Sequence, residues 1–235
     1  MAFAAGYPNE RVTAYVFLPR NRQPPYQTVV YMPPATAWDL RSSAPWVSTP
    51  SFSFLVQSGR AVVFPIYSGT FERGTDDFKS DYRKSTNRWR DHIFAVSKDV
   101  SRTIDYLQTR SDLDIRTLAY FGTSRGAAIA PMILAVERRF HAAALWLPGL
   151  YLEQLAPEVD AINFLPRMTL PTLVLSGRYD YNFRDEQSSL PFFNLLGAPP
   201  DQKRRVLYDT GHNLPFNEAV KETLDWFDRY LGPVR

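Results

Sequence analysis

The stretch that most constrains the fold is residues 117–137, where a strand-like run passes through a glycine-rich turn into a helix-like run. Residues 117–121 are apolar with β-branched and aromatic side chains, and residues 127–136 carry apolar side chains at helical spacing. The turn between them reads Gly-Thr-Ser-Arg-Gly, a Gly-x-Ser-x-Gly pattern. Glycines on both sides of a serine allow a tight turn that lifts its hydroxyl above a sheet. Ser124 is therefore the candidate nucleophile.

The rest of the chain alternates strand-like and helix-like runs. Strands are predicted at 12–19, 28–32, 61–67, 117–121, 142–147, 172–176 and 205–208, and helices at 51–57, from 92 to 107, 127–136 and 218–231. Most of these strands are continuous apolar runs, so a mostly parallel central sheet of about seven to eight strands, with helices on both faces, is expected. No repeat or linker divides the chain, and residues 1–235 are predicted to form a single α/β domain.

Composition excludes several classes of chemistry. The chain has no cysteine, which excludes a disulfide framework, a thiol nucleophile and a thiolate metal site. Its three histidines, His92, His141 and His212, do not lie at helical ligand spacing, so no metal centre is predicted and no cofactor is expected. A formal net charge of +3 without a long basic run does not favour nucleic-acid binding.

No apolar run approaches the roughly 18 residues that a membrane span requires, and no basic segment precedes a long apolar stretch at the N-terminus. We therefore expect no membrane association and a cytoplasmic location.

Polar residues directly follow two of the later strands. Gly-Arg-Tyr-Asp, ending at Asp180, follows the strand at 172–176, and Asp-Thr-Gly-His, ending at His212, follows the strand at 205–208. Ligands of parallel sheets bind at the carboxyl ends of the strands, where Ser124 is also expected. Asp180 is the predicted acid and His212 the predicted base. Four rivals exist for these two roles, namely Asp185, Asp209, His92 and His141, of which the histidines are expected at the start of an element.

The Gly-x-Ser-x-Gly turn, the Gly177 to Asp180 segment and the Gly211-His212 pair, in this order, resemble the α/β-hydrolase family over nearly the whole chain. Residues 11–31 are more narrowly similar to the hydrolase module that some bacterial multidomain proteins carry behind a protein kinase domain. The resemblance implies an α/β-hydrolase fold and a Ser-His-Asp triad, in which His212 takes the proton of Ser124 and Asp180 orients the imidazole. The segment between the strands at 142–147 and 172–176 is too short for a large cap domain.

The resemblance also implies an oxyanion hole. One donor is the backbone N–H of Arg125, the residue after the nucleophile, and the second comes from the loop after the strand at 28–32. Pro33 and Pro34 begin that loop and have no N–H, so Ala35 is the predicted second donor, with Thr36 or the side chain of Tyr67 as substitutes.

The side chain of Arg125 places a positive charge at a helix N-terminus, against the helix dipole. It is predicted either to pair with an acidic group of the substrate or to point to solvent or a nearby carboxylate. The loop at 76–90 is interpreted as a solvated face or as a flap over the pocket.

The substrate pocket is expected to be fairly open and aromatic. The residues predicted to line it are Thr36, Trp38, Trp46, Tyr67, Phe71, Leu150 and Tyr151, although each aromatic could equally belong to the core.

Together these features predict a serine carboxylesterase acting on short to medium acyl esters, with a small-molecule ester as its binding partner. A serine peptidase similar to the catalytic domain of prolyl oligopeptidases is the alternative within the same chemistry. A hydrolase-fold binding module without activity is the alternative from another class.

Overall fold

The computed structural model describes residues 1–48, 51–76 and 84–234. Its centre is one eight-stranded sheet. The strands are β1 (Ala2–Ala4), β2 (Arg11–Phe17), β3 (Tyr26–Met32), β4 (Ala61–Ile66), β5 (Leu113–Thr123), β6 (Ala142–Trp146), β7 (Thr172–Gly177) and β8 (Lys203–Tyr208). The three strands β4, β6 and β7 are buried along their whole length, as expected for a sheet covered on both sides.

The strand order is β1-β2-β4-β3-β5-β6-β7-β8. Strands β3 to β8 are parallel to their neighbours, whereas β2 pairs antiparallel with β4 and β1 pairs antiparallel with β2. The prediction of a mostly parallel sheet is confirmed. Strand β1 was not predicted, because a run of three residues is too short for an alternating pattern to be recognised.

Nine α-helices occur in the described residues. They are α1 (Thr36–Asp39), α2 (Ala44–Ser48), α3 (Ser53–Gln57), α4 (Asn87–Leu107), α5 (Arg125–Ala128), α6 (Ala130–Leu134), α7 (Ala161–Phe164), α8 (Leu190–Leu195) and α9 (Phe216–Leu231). Short 3₁₀ turns occur at Phe71–Arg73, Pro157–Val159, Leu165–Arg167 and Pro200–Gln202, and a π-helical turn at Asp185–Ser189.

Two helices differ from their predicted extents. Helix α4 begins at Asn87 and not near His92, because the Thr86 hydroxyl caps it by accepting a hydrogen bond from the Trp89 N–H at 3.2 Å. The single helix predicted at 127–136 is divided into α5 and α6. Pro131 lies in the first turn of α6, where its missing N–H costs no hydrogen bond.

The two faces of the sheet carry different helices. Phe121 of β5 points to one face, where its ring lies 5.6 Å from Phe54 of α3. The preceding residue, Tyr120, points to the other face and contacts Phe140 after α6. Helix α4 packs with α6, and helix α9 packs over β5, β6 and β7. Helices therefore cover both faces, as predicted.

The connection from β6 to β7 contains only α7 and two 3₁₀ turns, so the prediction that no large cap is present is confirmed. No helix in the described part of the chain is long and apolar enough to span a membrane.

Candidate active site

Ser124 occupies the turn between β5 and α5 with unusual backbone angles, φ 49° and ψ −111°. A serine rarely adopts positive φ, and this conformation persists only where the surroundings enforce it. Two close approaches do so. A Cβ added to Gly126 would lie 2.2 Å from the Met32 carbonyl oxygen, and one added to Gly122 would lie 2.8 Å from the Gly126 oxygen. The glycines let β3 and β5 approach the turn closely, and the turn presents the serine hydroxyl.

The three predicted triad side chains form a continuous hydrogen-bonded chain. Ser124 Oγ lies 2.8 Å from His212 Nε2, and His212 Nδ1 lies 2.7 Å from Asp180 Oδ2. The second carboxylate oxygen, Asp180 Oδ1, accepts hydrogen bonds from the backbone N–H groups of Asn182 at 2.8 Å and Phe183 at 2.9 Å. Because both oxygens are engaged, the carboxylate is fixed in the orientation that receives the imidazole N–H.

The loops that carry Asp180 and His212 are joined by their backbones. The N–H of Arg178 donates to the Tyr208 carbonyl at 2.8 Å, and the N–H of Tyr179 donates to the Thr210 carbonyl at 2.9 Å. A Cβ added to Gly177 would lie 2.1 Å from the Gly211 oxygen, so only glycine permits this approach. The pairing of β7 with β8 thus continues into the loops and brings the acid to the histidine.

The four rival residues lie in other environments. Asp185 pairs with Arg205, and Asp209 forms an ion pair with Arg178 at 2.7 Å. His141 is exposed just before β6, where an element start was predicted.

His92 lies within α4 and not at its start, so its predicted position was wrong. Burial, together with the nearby charge of Arg125, lowers the pKa of His92 to about 3, so the imidazole is neutral at physiological pH.

The predicted oxyanion donors lie on both sides of the serine. The Arg125 N–H opens α5 directly after Ser124. Ala35 precedes the first turn of α1 and borders the same space as Ser124. Helix N-termini carry N–H groups that have no acceptor within the helix, which suits them to bind a developing negative charge. The Tyr67 side chain is fully buried, and its hydroxyl lies 3.5 Å from Trp38 Nε1.

Two cavities meet at Ser124. We call the first, of about 420 Å³, the polar cavity; its charged and hydroxyl-bearing wall consists of Lys84, Arg125, Tyr151 and Glu153. We call the second, of about 520 Å³, the aromatic cavity; its rings come from Tyr31, Trp46, Phe121, Trp146, Tyr181 and Phe216. Ala35, Ser124 and Asn182 border both cavities, and His212 borders the aromatic cavity.

The predicted pocket residues divide into two groups. Thr36 and Trp46 line the aromatic cavity, and Leu150 and Tyr151 line the polar cavity. The other three, Trp38, Tyr67 and Phe71, are fully buried and line neither cavity, which corresponds to the core position that the sequence left open for each aromatic. Trp38 contacts Trp89 and His92 of α4, and the Phe71 ring lies 5.8 Å from that of Trp46.

The Arg125 side chain does not point to solvent. The residue is buried, and Cζ lies 3.8 Å from the centroid of the Trp38 ring, in cation–π contact. Burial raises the pKa of Tyr151, and the guanidinium of Arg125 nearby opposes that rise. Trp38 therefore supports the cation that forms one side of the polar cavity.

Sequence reasoning missed Lys84, Glu153, Asn182 and Phe216 as residues that border the serine. Two of them had a usable signal, because Asn182 and Phe216 closely follow Asp180 and His212 at the carboxyl edge of the sheet. The loop predicted at 76–90 lies partly outside the described residues, since 77–83 are not described. Of its described part, Lys84 reaches the polar cavity and Trp89 is fully buried.

No group of three or more potential metal-ligating side chains occurs among the residues that the structure describes. The chemistry available at this site consists of a hydroxyl, an imidazole, a carboxylate and backbone N–H groups. This is the set used in acyl transfer through a serine.

No protein-family model and no curated protein sequence matches the chain. Solved structures do match it over nearly its whole length. A cold-adapted esterase from an Arctic intertidal metagenomic library, in a complex with polyethylene glycol, is 19% identical with a TM-score of 0.74, covering 100% of this chain and 93% of the other. A candidate dienelactone hydrolase from Klebsiella pneumoniae subsp. pneumoniae MGH 78578 is 16% identical with a TM-score of 0.72, covering 98% of each chain.

Est1E from Butyrivibrio proteoclasticus, solved with ferulic acid bound, is 16% identical with a TM-score of 0.65, covering 96% of this chain and 98% of the other. These matches and the topology show that the chain has the α/β-hydrolase fold, as the sequence motifs predicted. At these identities the likeness to esterases and to a candidate dienelactone hydrolase shows the fold. The narrower likeness to a kinase-associated hydrolase module stays a prediction.

Proposed function

We propose that the protein is a serine carboxylesterase that hydrolyses short to medium acyl esters through an acyl-enzyme intermediate. The observation that carries the proposal is the hydrogen-bonded chain from Ser124 through His212 to Asp180, with distances of 2.8 Å and 2.7 Å. A serine hydroxyl is a weak nucleophile, and this arrangement supplies the base that it needs.

In this mechanism His212 Nε2 accepts the proton of Ser124 as Oγ forms a bond to the ester carbonyl carbon. The carbonyl oxygen becomes an oxyanion and accepts hydrogen bonds from the N–H groups of Arg125 and Ala35. The bond between carbon and the alcohol oxygen then breaks, and His212 transfers its proton to that oxygen. A water molecule, deprotonated by His212, cleaves the acyl-enzyme and releases the carboxylic acid.

Asp180 stabilises the positive charge on the imidazole and holds its Nδ1–H donor in place. Its side chain is 3% exposed and that of His212 is 13% exposed, so water weakens their interaction little. Ser124 has free access from two cavities, which suits a substrate with a group on each side of the scissile bond.

The test is hydrolysis of p-nitrophenyl esters from acetate to laurate by the parent protein and by Ser124→Ala. The parent is expected to cleave the short and medium esters, and the variant to lose roughly four to six orders of magnitude in kcat. Ser111→Ala, in the exposed turn before β5, is the matched control and should retain activity. Absence of turnover with every ester, together with no labelling of Ser124 by a fluorophosphonate, would contradict the proposal.

A further inference from the structure

The two cavities beside Ser124 differ in charge. The polar cavity carries Lys84, Arg125 and Glu153 in its wall, whereas the residues that line the aromatic cavity include no Lys, Arg, Asp or Glu within the described part of the chain. A substrate that spans Ser124 therefore meets charged groups on one side and rings on the other.

The donors of the polar cavity lie close together around Tyr151. Lys84 Nζ lies 4.4 Å from the centroid of the Tyr151 ring, and the Arg125 guanidinium is near enough to influence the ionisation of the phenol. The Tyr151 hydroxyl oxygen is buried, and the Arg125 guanidinium lies beside it. An ammonium, a guanidinium and a phenolic hydroxyl thus border one space, and all three donate to anions.

Among the described residues, the charged wall carries two cationic side chains and one carboxylate. Glu153 is its single carboxylate among the described residues and lies 3.3 Å from Lys84. The Glu153 side chain is 53% exposed, whereas that of Lys84 is 10% exposed, so solvent weakens the pair from the acidic side. Burial lowers the pKa of Lys84, Glu153 opposes this shift and the charge of Arg125 adds to it. A carboxylate entering the cavity would be attracted by both cations.

The position of His212 indicates which part of an ester lies in each cavity. The departing alcohol oxygen must receive its proton from His212 Nε2, and His212 lines the aromatic cavity. Among the described residues that line the polar cavity, His212 does not occur. The alcohol portion therefore lies on the aromatic side, and the acyl chain extends into the polar cavity.

We propose that the polar cavity binds a carboxylate at the far end of the acyl chain, so that the preferred substrates are half-esters of dicarboxylic acids with aromatic or apolar alcohols. This substrate class rests on the proposed esterase function. Lys84 and Arg125 provide charge, Tyr151 provides a hydroxyl donor, and the aromatic cavity holds the alcohol.

The test compares the phenyl monoester of adipic acid with phenyl hexanoate, whose acyl chain has the same length and no carboxylate. We expect kcat/KM of the parent protein to be about tenfold higher for the half-ester, the factor expected for one hydrogen bond to a charged group. In 3-carboxyphenyl hexanoate the carboxylate lies on the alcohol, and no such preference is expected. Release of phenol from the first two esters, and of 3-hydroxybenzoate from the third, measures hydrolysis by the parent protein without any substitution.

Substitutions identify the side chains that produce the preference for the half-ester. Lys84→Met and Tyr151→Phe should each lower the ratio of kcat/KM between the half-ester and phenyl hexanoate by about fivefold, since each removes one donor. Glu153→Gln should raise that ratio, because it removes the competing carboxylate. Arg116→Gln removes the same charge at an exposed site on β5 and should leave the ratio unchanged.

Product inhibition of the parent protein is an independent readout, in which adipate should inhibit more strongly than hexanoate. A ratio near one, or a ratio that Lys84→Met and Tyr151→Phe do not change, would overturn the half-ester proposal and leave the esterase function intact. If none of the phenyl esters is hydrolysed, the esterase function itself fails and the half-ester proposal fails with it.

Discussion

The polar and aromatic cavities share a border at Ser124, yet they come from different parts of the fold. Tyr31, Phe121 and Trp146 of the aromatic cavity lie at the carboxyl ends of three neighbouring strands of the sheet. The polar cavity takes Lys84 from the segment before α4 and Tyr151 from the loop after β6. Strand ends thus supply three of the six rings of the aromatic cavity, whereas Lys84 and Tyr151 of the polar cavity come from connections.

Because of this difference, we expect substitutions in the aromatic cavity to change stability and substitutions in the polar cavity to change mainly substrate selectivity. Side chains at strand ends are packed into the core, so a change in the aromatic cavity also changes the free energy of unfolding. Loop residues pack against fewer neighbours and tolerate substitution better. We therefore expect the polar cavity to be the more easily altered of the two, and the predictions below test how far the two sides are independent.

The largest effect on kcat is expected in the candidate triad, whose Ser124 borders both cavities. Asp180→Asn should lower kcat by roughly 10⁴-fold for phenyl hexanoate and for the adipic half-ester alike, because the amide favours the wrong imidazole tautomer. Initial rates with both esters measure it, and Asp209→Asn, in the exposed pair with Arg178, is the matched control. A loss confined to one ester would show that the two cavities do not serve the same triad.

A smaller effect is expected in the aromatic cavity. Phe216 is 53% exposed at the start of α9 and lies 6.2 Å from the Trp146 ring, so its own ring is available to a bound alcohol. Phe216→Ala should raise KM for phenyl hexanoate by up to about tenfold relative to methyl hexanoate, since contact with one ring face is worth on the order of 1 kcal/mol. Phe94→Ala on the exposed side of α4 is the control, and an equal change in KM for both esters would contradict the assignment of the alcohol to this side.

The smallest effect is expected from the ionisation of Lys84. Burial lowers the pKa of Lys84 below its usual value of 10.5. The protonated amine attracts the ionised carboxylate, so the preference for the half-ester is complete at neutral pH, where both groups are charged, and weakens as the pH rises through the lowered pKa of Lys84. The ratio of kcat/KM for the two esters, followed from pH 7 upward, measures this.

Lys84→Arg serves as the comparison in that experiment. A guanidinium remains protonated throughout the accessible range, so its preference for the half-ester should not decline with pH. A parent ratio that stays constant to well above pH 10.5 would contradict the role of Lys84.

The triad candidates could be predicted because their signals are local. Ser124, Asp180 and His212 each directly follow a recognisable strand, and parallel strands end at one edge of the sheet. The contacts that position them, such as the two backbone N–H groups on Asp180 Oδ1, depend on loop conformation and were not predicted. Their catalytic roles remain proposals that the kinetic tests address.

The pocket walls could be predicted only in part, because aromatic residues in loops have two possible positions. Tyr151 and Trp38 both follow strands in the sequence, yet Tyr151 borders a cavity whereas Trp38 lies fully buried under Arg125. Lys84 and Glu153 are 69 positions apart, and no local pattern indicates that they meet. Such contacts follow from how the connections pack and not from periodicity.

The backbone junction between the loops of Asp180 and His212 has a consequence for how this site can diversify. Main-chain hydrogen bonds and the contact of Gly177 with Gly211 hold the two loops together, whatever side chains they bear. Tyr179 and Tyr181 are exposed side chains on these loops, and Tyr181 also borders the aromatic cavity, with its ring 6.0 Å from that of His212. A library randomised at these two positions should retain the reaction while sampling new alcohols, which makes this edge a natural starting point for directed evolution.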